Sequence, residues 1–231
     1  ISMLPDGKIL QKVYEQILPY GKVNSIFIDC STVDVESAQI VAKSAQKKQI
    51  LTLDAPVSGG VIGAETGSLT FMVGGDEVAF KTALPLFEIM GKKAILCGDS
   101  GAGQVTKICN NMILGISMIG VCEAFALADK LNLSAQKMFD VVSTSSGHCW
   151  SLNTYCPVPG VGPHSPSDNN YKPGFSTELM FKDLSLAQSA AKTASVSTPL
   201  GSHAKAIYED FVKTSGKGKD FSSILNFIKD L

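Results

Sequence analysis

A lysine and two asparagines, Lys107, Asn110 and Asn111, interrupt an otherwise apolar stretch, GAGQVTKICNNMI, at residues 101–113. On a helix, positions four apart share a face, with Cβ atoms about 5–6 Å apart. Lys107 and Asn111 form such a pair, and Asn110 lies close to the same side. An isolated ammonium is costly to bury, so a lysine there is either paired or titratable. An amine that can become neutral, with an amide one turn away, can hold a hydroxyl oxygen and take its proton. A lysine reaching water from a surface face fits the same spacing. Gly101 and Gly103 let a backbone or a ligand approach the start of this helix.

Two further stretches carry chemistry. DAPVSGG (54–60) reads as a strand end that exposes the Ser58 hydroxyl beside the backbone N–H groups of Gly59 and Gly60. Such a turn makes a small concavity for a carboxylate or phosphate; an ordinary tight turn is the alternative. In FSTELMFKDLSLA (175–187), Lys182 and Asp183 interrupt a helical apolar pattern, which from spacing alone is commonly a surface charge pair. GDSGAGQ (98–104) superficially resembles a dinucleotide-binding glycine loop. It opens a long helix at a change of structural character and has no βαβ context, so it is not read as one.

The elements that position these groups follow from periodicity. Ile9, Leu10, Val13, Ile17 and Leu18 recur with helical spacing over 6–20. SIFIDCST (25–32) reads as a short buried strand, after which Asp34 caps a helix over VESAQIVAKSAQKK. ILTLDAPVSGG (50–60), LTFMVGG (69–75) and KAILCG (93–98) read as strands, and DEVAFKTALPLFEIMG (76–91) as a helix stopped at Gly91. Strands alternating with helices imply βαβ units and a mostly parallel sheet. Beyond Gly98 only helical patterns appear, over 104–131, 134–144, 177–195, 199–214 and 220–231. The expected organisation is an α/β part over 1–100 and an all-helical part over 101–231. The stretch 149–175 has no helical period, and a loop that long is a linker or a functional cover. Trp150, Tyr155, Tyr171 and Phe175 favour a packed cover beside a site.

Composition narrows the class of function. The formal net charge is −1 and the basic residues are scattered, so nothing argues electrostatically for nucleic acid or an anionic membrane. The apolar run at 112–128 contains Glu123 and reads as a buried helix rather than a membrane span. The six cysteines form no C-x-x-C pair, which fits free thiols in a reducing compartment. The three histidines share no ligand spacing, and no metal site is expected.

Taken together, MLP, DCST, DAPVSGG, LTFMVGG, GAGQVTKICNNM, SSGHCW, CPVPGV, NNY and FKDLSLA resemble the β-hydroxyacid dehydrogenase family across essentially the whole chain. The loop at 149–175 resembles the 3-hydroxyisobutyrate branch of that family. The resemblance implies an NAD-binding Rossmann domain followed by a helical domain for substrate binding and oligomerisation, joined through a long interdomain helix. It implies Lys107 as the catalytic acid/base and Asn111 as its substrate-orienting partner. Ser58, Gly59 and Gly60 would hold the substrate carboxylate. Leu4 and Pro5 would border the nicotinamide side, Thr32 would touch the cofactor, and Lys182 would approach it from the helical domain, steadied by Asp183. The implied reaction is NAD-dependent oxidation of 3-hydroxyisobutyrate to methylmalonate semialdehyde in valine catabolism. A homodimer or tetramer in the mitochondrial matrix is implied by the same resemblance. The alternatives are an NADPH-dependent reductase of a small semialdehyde or glyoxylate, a non-catalytic interaction protein, and an inactive truncated product. ISMLPDG opens on what reads as a strand end running into a turn, with no initiator Met. The expectation is therefore a chain lacking the first half of the Rossmann domain, with its glycine loop and the acidic residue that selects NAD over NADP. Such a chain would bind NAD poorly and expose an unpaired sheet edge.

Overall fold

The computed structural model describes residues 1–231 and divides into two compact units, Ile1–Cys109 and Asn110–Leu231. In the first, strands β1 (Ile26–Asp29), β2 (Leu51–Asp54), β3 (Val57–Ser58), β4 (Leu69–Gly75) and β5 (Gly91–Gly98) form one sheet. Helices α1 (Gly7–Ile17), α2 (Val35–Gln46), α3 (Gly60–Glu65) and α4 (Glu77–Met90) connect them.

β1 and β2 run parallel, with Ile26 opposite Leu51 and Asp29 opposite Asp54. The twelve-residue α2 is the crossover that a parallel pair requires. The chain then reverses: β4 is antiparallel to β2 at Leu53–Gly75 and to β3 at Ser58–Thr70. The cause lies in the connection. Between Asp54 and Leu69 the only helix is α3, of six residues and so under two turns, too short to return the chain for a parallel strand. The fourteen-residue α4 restores a full crossover, and β5 pairs parallel with β4. The sheet is thus mixed, with parallel pairs on either side of one reversal.

Local signals explain the helix starts. Asp6, Asp34 and Asp76 each accept from backbone N–H groups in the first turn of α1, α2 and α4. Leu10, Tyr14 and Leu18 pack with Val41, Ala45 and Ile50. Ile28, Leu53, Phe71 and Val73 pack with Ala79, Ala83 and Phe87, with the rings of Phe71 and Phe87 4.8 Å apart.

The second unit is helical. α5 (Ala102–Lys130) carries the chain into it, followed by α6 (Ala135–Val142), α7 (Trp150–Asn153), α8 (Thr177–Thr193), α9 (Pro199–Phe211) and α10 (Ile224–Lys229). α5 is long and apolar enough to cross a bilayer by length and composition. Its Met118, Cys122 and Phe125 instead fill a core with Met180, Leu184, Tyr208 and Phe211. The helical pattern at 199–214 ends in a π-helical turn over Val212–Gly216, and 220–231 begins with a short 3₁₀ turn. All six cysteines are free.

The stretch 149–175 is not without regular structure, as α7 and a 3₁₀ turn at Pro166–Asn169 show. It is packed: Leu152, Cys156 and Val161 belong to the core, and Trp150 stacks on Tyr155 at 4.8 Å.

Candidate active site

In the first unit, the chain ends of three elements meet the start of α5. β2 finishes at Asp54, whose buried carboxylate accepts from Gly101 N (2.7 Å) and Gln104 N (3.1 Å). These are backbone donors at a helix N-terminus, which has no intrahelical partner for them. Gly103 lets the helix come this close. A Cβ there would lie 2.3 Å from the Met72 carbonyl oxygen and 2.6 Å from that of Asp54. Gln104 then bonds the loop after β1: its Oε1 accepts from Val33 N (3.0 Å), and its Nε2 donates to the Ser31 carbonyl (2.9 Å).

Lys107 follows three residues later on the same helix and is only 7% exposed. The surface-lysine reading is therefore set aside. The helical face that carries it is closed, because Gln104 and Ile108 beside it are buried as well. Ser58 ends β3, half-buried, opposite Thr70. Gly59 and Gly60 follow at φ +132° and +62°, which turns the backbone sharply in a region that L side chains avoid.

The segment before α1 lies along β1. Ser2 bridges Asp29 in parallel register, Cys30 N donates to the Ser2 carbonyl (2.8 Å), and Leu4 N donates to Ser31 Oγ (2.7 Å). Two neighbouring loops, one with Leu4 and Pro5 and the other with Thr32, therefore leave the carboxyl edge of the sheet side by side. Each runs into a helix capped by its own aspartate. Ligands of open α/β sheets bind outside that edge. Leu4 and Thr32 are half-buried there and Pro5 is exposed. Asp29 beneath them is buried, and burial raises its carboxyl above the usual range against the lowering effect of the Ser31 and Ser2 hydroxyls.

In the second unit Asn111, 1% exposed, donates to Asp183 Oδ2 (2.5 Å) and accepts from Asn110 Nδ2 (2.8 Å). Both ends of its amide are thus oriented. Lys182 Nζ lies 3.7 Å from the other oxygen of Asp183. Asp183 is 2% exposed, which rules out the surface-pair reading of 182–183. It shares a helix face with Met180, Leu184 and Ala187, all core residues.

The sequence reading missed three contributors. Asp54 reads only as the start of a motif, yet it anchors α5. Gln104 reads as one more polar residue in a glycine-rich turn. Asp183 reads as the partner of its neighbour Lys182, whereas its contact to Asn111 is the shorter of the two. Asp54 and Gln104 act over contacts 47 to 73 residues apart in the chain, which no local pattern encodes.

Burial pushes the Asp54 carboxyl up to about 6, against the lowering effect of the Gly101 and Gln104 N–H groups. A carboxyl raised on folding contributes stability that is complete below its unfolded value near 3.8 and lost as pH rises through about 6. Folding stability should therefore fall by up to about 3 kcal/mol from this group between pH 4 and 7. Asp54→Asn should flatten that part of the curve. Urea unfolding at pH 4.5, 6 and 7.5 measures it, and equal slopes for both proteins would refute it.

Comparison with known proteins identifies the family. The model for the NAD-binding domain of 6-phosphogluconate dehydrogenase matches residues 1–98. That for NAD-binding of NADP-dependent 3-hydroxyisobutyrate dehydrogenase matches residues 101–228. A probable 3-hydroxyisobutyrate dehydrogenase of Mycobacterium tuberculosis is 47% identical over 229 residues, covering 99% of this chain and 78% of the relative. The mitochondrial 3-hydroxyisobutyrate dehydrogenase of Mus musculus is 45% identical over 233 residues, covering 100% of this chain and 70% of the relative. The solved structure of the Mycobacterium tuberculosis 3-hydroxyisobutyrate dehydrogenase with L-serine superposes with a TM-score of 0.94 at 47% identity. That alignment covers 98% of this chain and 77% of the other. Bacterial and mitochondrial relatives are thus about equally similar. At these identities and coverages the chain belongs to the 3-hydroxyisobutyrate dehydrogenase family, oxidoreductases that act on hydroxy acids with a nicotinamide cofactor.

Proposed function

We propose that this protein oxidises 3-hydroxyisobutyrate to methylmalonate semialdehyde, a step of valine catabolism, with Lys107 as the acid/base. The observation that carries this reading is a buried amine one helical turn before an amide whose orientation is fixed.

The substrate carboxylate is held by the Ser58 hydroxyl and the N–H groups of Gly59 and Gly60. Asn111 orients the substrate hydroxyl, and its amide still has one donor and one acceptor direction beyond those to Asp183 and Asn110. The Lys107 amine, neutral at that moment, takes the hydroxyl proton as the carbon–oxygen double bond forms, and becomes an ammonium. Leu4, Pro5 and Thr32 would hold a nicotinamide at the sheet edge, and Lys182 is a further cofactor-binding residue. When bound, that cofactor supplies the two-electron acceptor for the hydride released from the carbinol carbon. In the reverse direction the ammonium returns the proton. Residues 1–100 serve as part of a cofactor domain and 101–231 as the substrate and oligomerisation domain.

L-serine, named with the solved mycobacterial relative, is itself a short 3-hydroxy acid and supports the substrate class. The exposed Ile113, Leu127 and Leu131 on and just after α5 support self-association, which sedimentation velocity would detect as a species of at least twice the chain mass.

The discriminating experiment compares kcat/KM for 3-hydroxyisobutyrate, glycerate and 4-hydroxybutyrate, each with NAD and NADP. The reading expects 3-hydroxyisobutyrate to lead by at least about ten-fold, the discrimination that one or two substrate contacts supply. A lead for either other substrate would transfer the activity to a sibling chemistry.

A further inference from the structure

Gln104 performs none of the chemistry above, yet it is completely buried and its amide is bonded at both ends. Its Oε1 accepts from Val33 N and its Nε2 donates to the Ser31 carbonyl, so one side chain grips the backbone on both sides of Thr32. Its own N–H donates to Asp54, which also holds Gly101 N. Lys107 and Asn111 follow at three and seven residues, along the same helix face. A side chain present only to fill space would be apolar here, because burying an amide is unfavourable unless both ends are satisfied.

We propose that Gln104 is a positioning residue, setting the Thr32 loop against the helix that bears Lys107. It thereby fixes the cofactor-side loop relative to the proton-transferring amine. The inference rests on the assignment of Thr32 and Lys107 above and adds the residue that couples them. A side-chain amide suits this role because it bonds backbone as a neighbouring strand would, with one donor and one acceptor. It also carries no charge that would perturb the lysine.

The test uses Gln104→Leu, similar in size without hydrogen bonds, and Gln104→Glu, which keeps an acceptor for Val33 N. Three measurements on the full chain separate positioning from packing. These are hydrogen exchange at the Val33 amide without cofactor, the thermal midpoint, and steady-state kinetics with varied cofactor. In Gln104→Leu, Val33 exchange should accelerate and the cofactor KM should rise, each about ten-fold, the scale of one buried hydrogen bond to backbone. The kcat should fall several-fold, while the amides of Leu53 and Val73 in the sheet stay protected. Gln104→Glu should restore Val33 protection and bring the cofactor KM part of the way back. A lowered thermal midpoint with cofactor KM and kcat at wild-type values would overturn the proposal and leave Gln104 a packing residue. The two assignments fail separately. Lys107→Ala with undiminished kcat removes the acid/base, whereas unchanged cofactor kinetics in Gln104→Leu removes the coupling.

Discussion

Replacing Lys107 with Ala should lower kcat by about 10²–10⁴-fold, the usual contribution of a positioned general acid/base. The thermal midpoint and cofactor affinity should stay near wild type, because Lys107 belongs to none of the three hydrophobic clusters. Lys107→Arg is the informative partner. A guanidinium stays protonated at any pH the protein survives, so it keeps the charge and loses the proton acceptor. If electrostatic attraction for the substrate were the whole role, Arg would restore much of the rate. If proton transfer is the role, Arg should be almost as slow as Ala. A kcat within a few-fold of wild type in Lys107→Ala would remove the mechanism altogether. Asn111→Ala should act differently. It leaves Asp183 without its donor from the amide and removes the group that orients the hydroxyl, so KM and kcat should both worsen.

Much of this arrangement could be read from the sequence because it is written locally. The βα alternation of the first hundred residues, the aspartate cap at 34 and the helix stop at Gly91 all depend on neighbours within a few positions. So does the i, i+4 pairing of Lys107 with Asn111. The strand reversal at β4 has no such local signal, because α3 is too short to announce itself as a failed crossover. The burial of Asp183 was equally hidden. A Lys-Asp pair inside a helix has the composition of a surface, and only the packing of α8 makes its second member a core carboxylate. Asp54 and Gln104 show the same limit from the other side. Their side chains bond backbone groups brought alongside by the sheet, and backbone groups leave no trace in residue types. Residue types that could do chemistry thus stand out in the sequence, whereas the residues that hold the backbone around them do not.

The same distinction gives the largest expected loss of stability, at Asp220. This carboxylate is fully buried and accepts five hydrogen bonds. Oδ2 takes Tyr155 Oη (2.9 Å), Gly174 N (2.9 Å) and Phe175 N (3.1 Å), and Oδ1 takes Ser222 N (3.0 Å) and Ser222 Oγ (2.7 Å). Both ends of the stretch 149–175 are therefore fastened to one side chain. Asp220→Ala strands several buried donors at once and should cost about 3–5 kcal/mol. Asp220→Asn should recover little, because either orientation turns an amide NH₂ toward groups that are themselves donors. Tyr155→Phe removes a single bond and should cost only about 1–1.5 kcal/mol. Urea unfolding ranks the three, and the single tryptophan reports the local consequence. Trp150 stacks on Tyr155 with ring centroids 4.8 Å apart, and Tyr155 in turn packs on Phe221 at 5.4 Å. Release of the loop should shift Trp150 emission to the red in Asp220→Ala under conditions where the far-UV signal is still native. An Asp220→Asn protein as stable as wild type would mean that the carboxylate's charge and its second acceptor are dispensable, and that packing of the aromatic stack alone holds the loop.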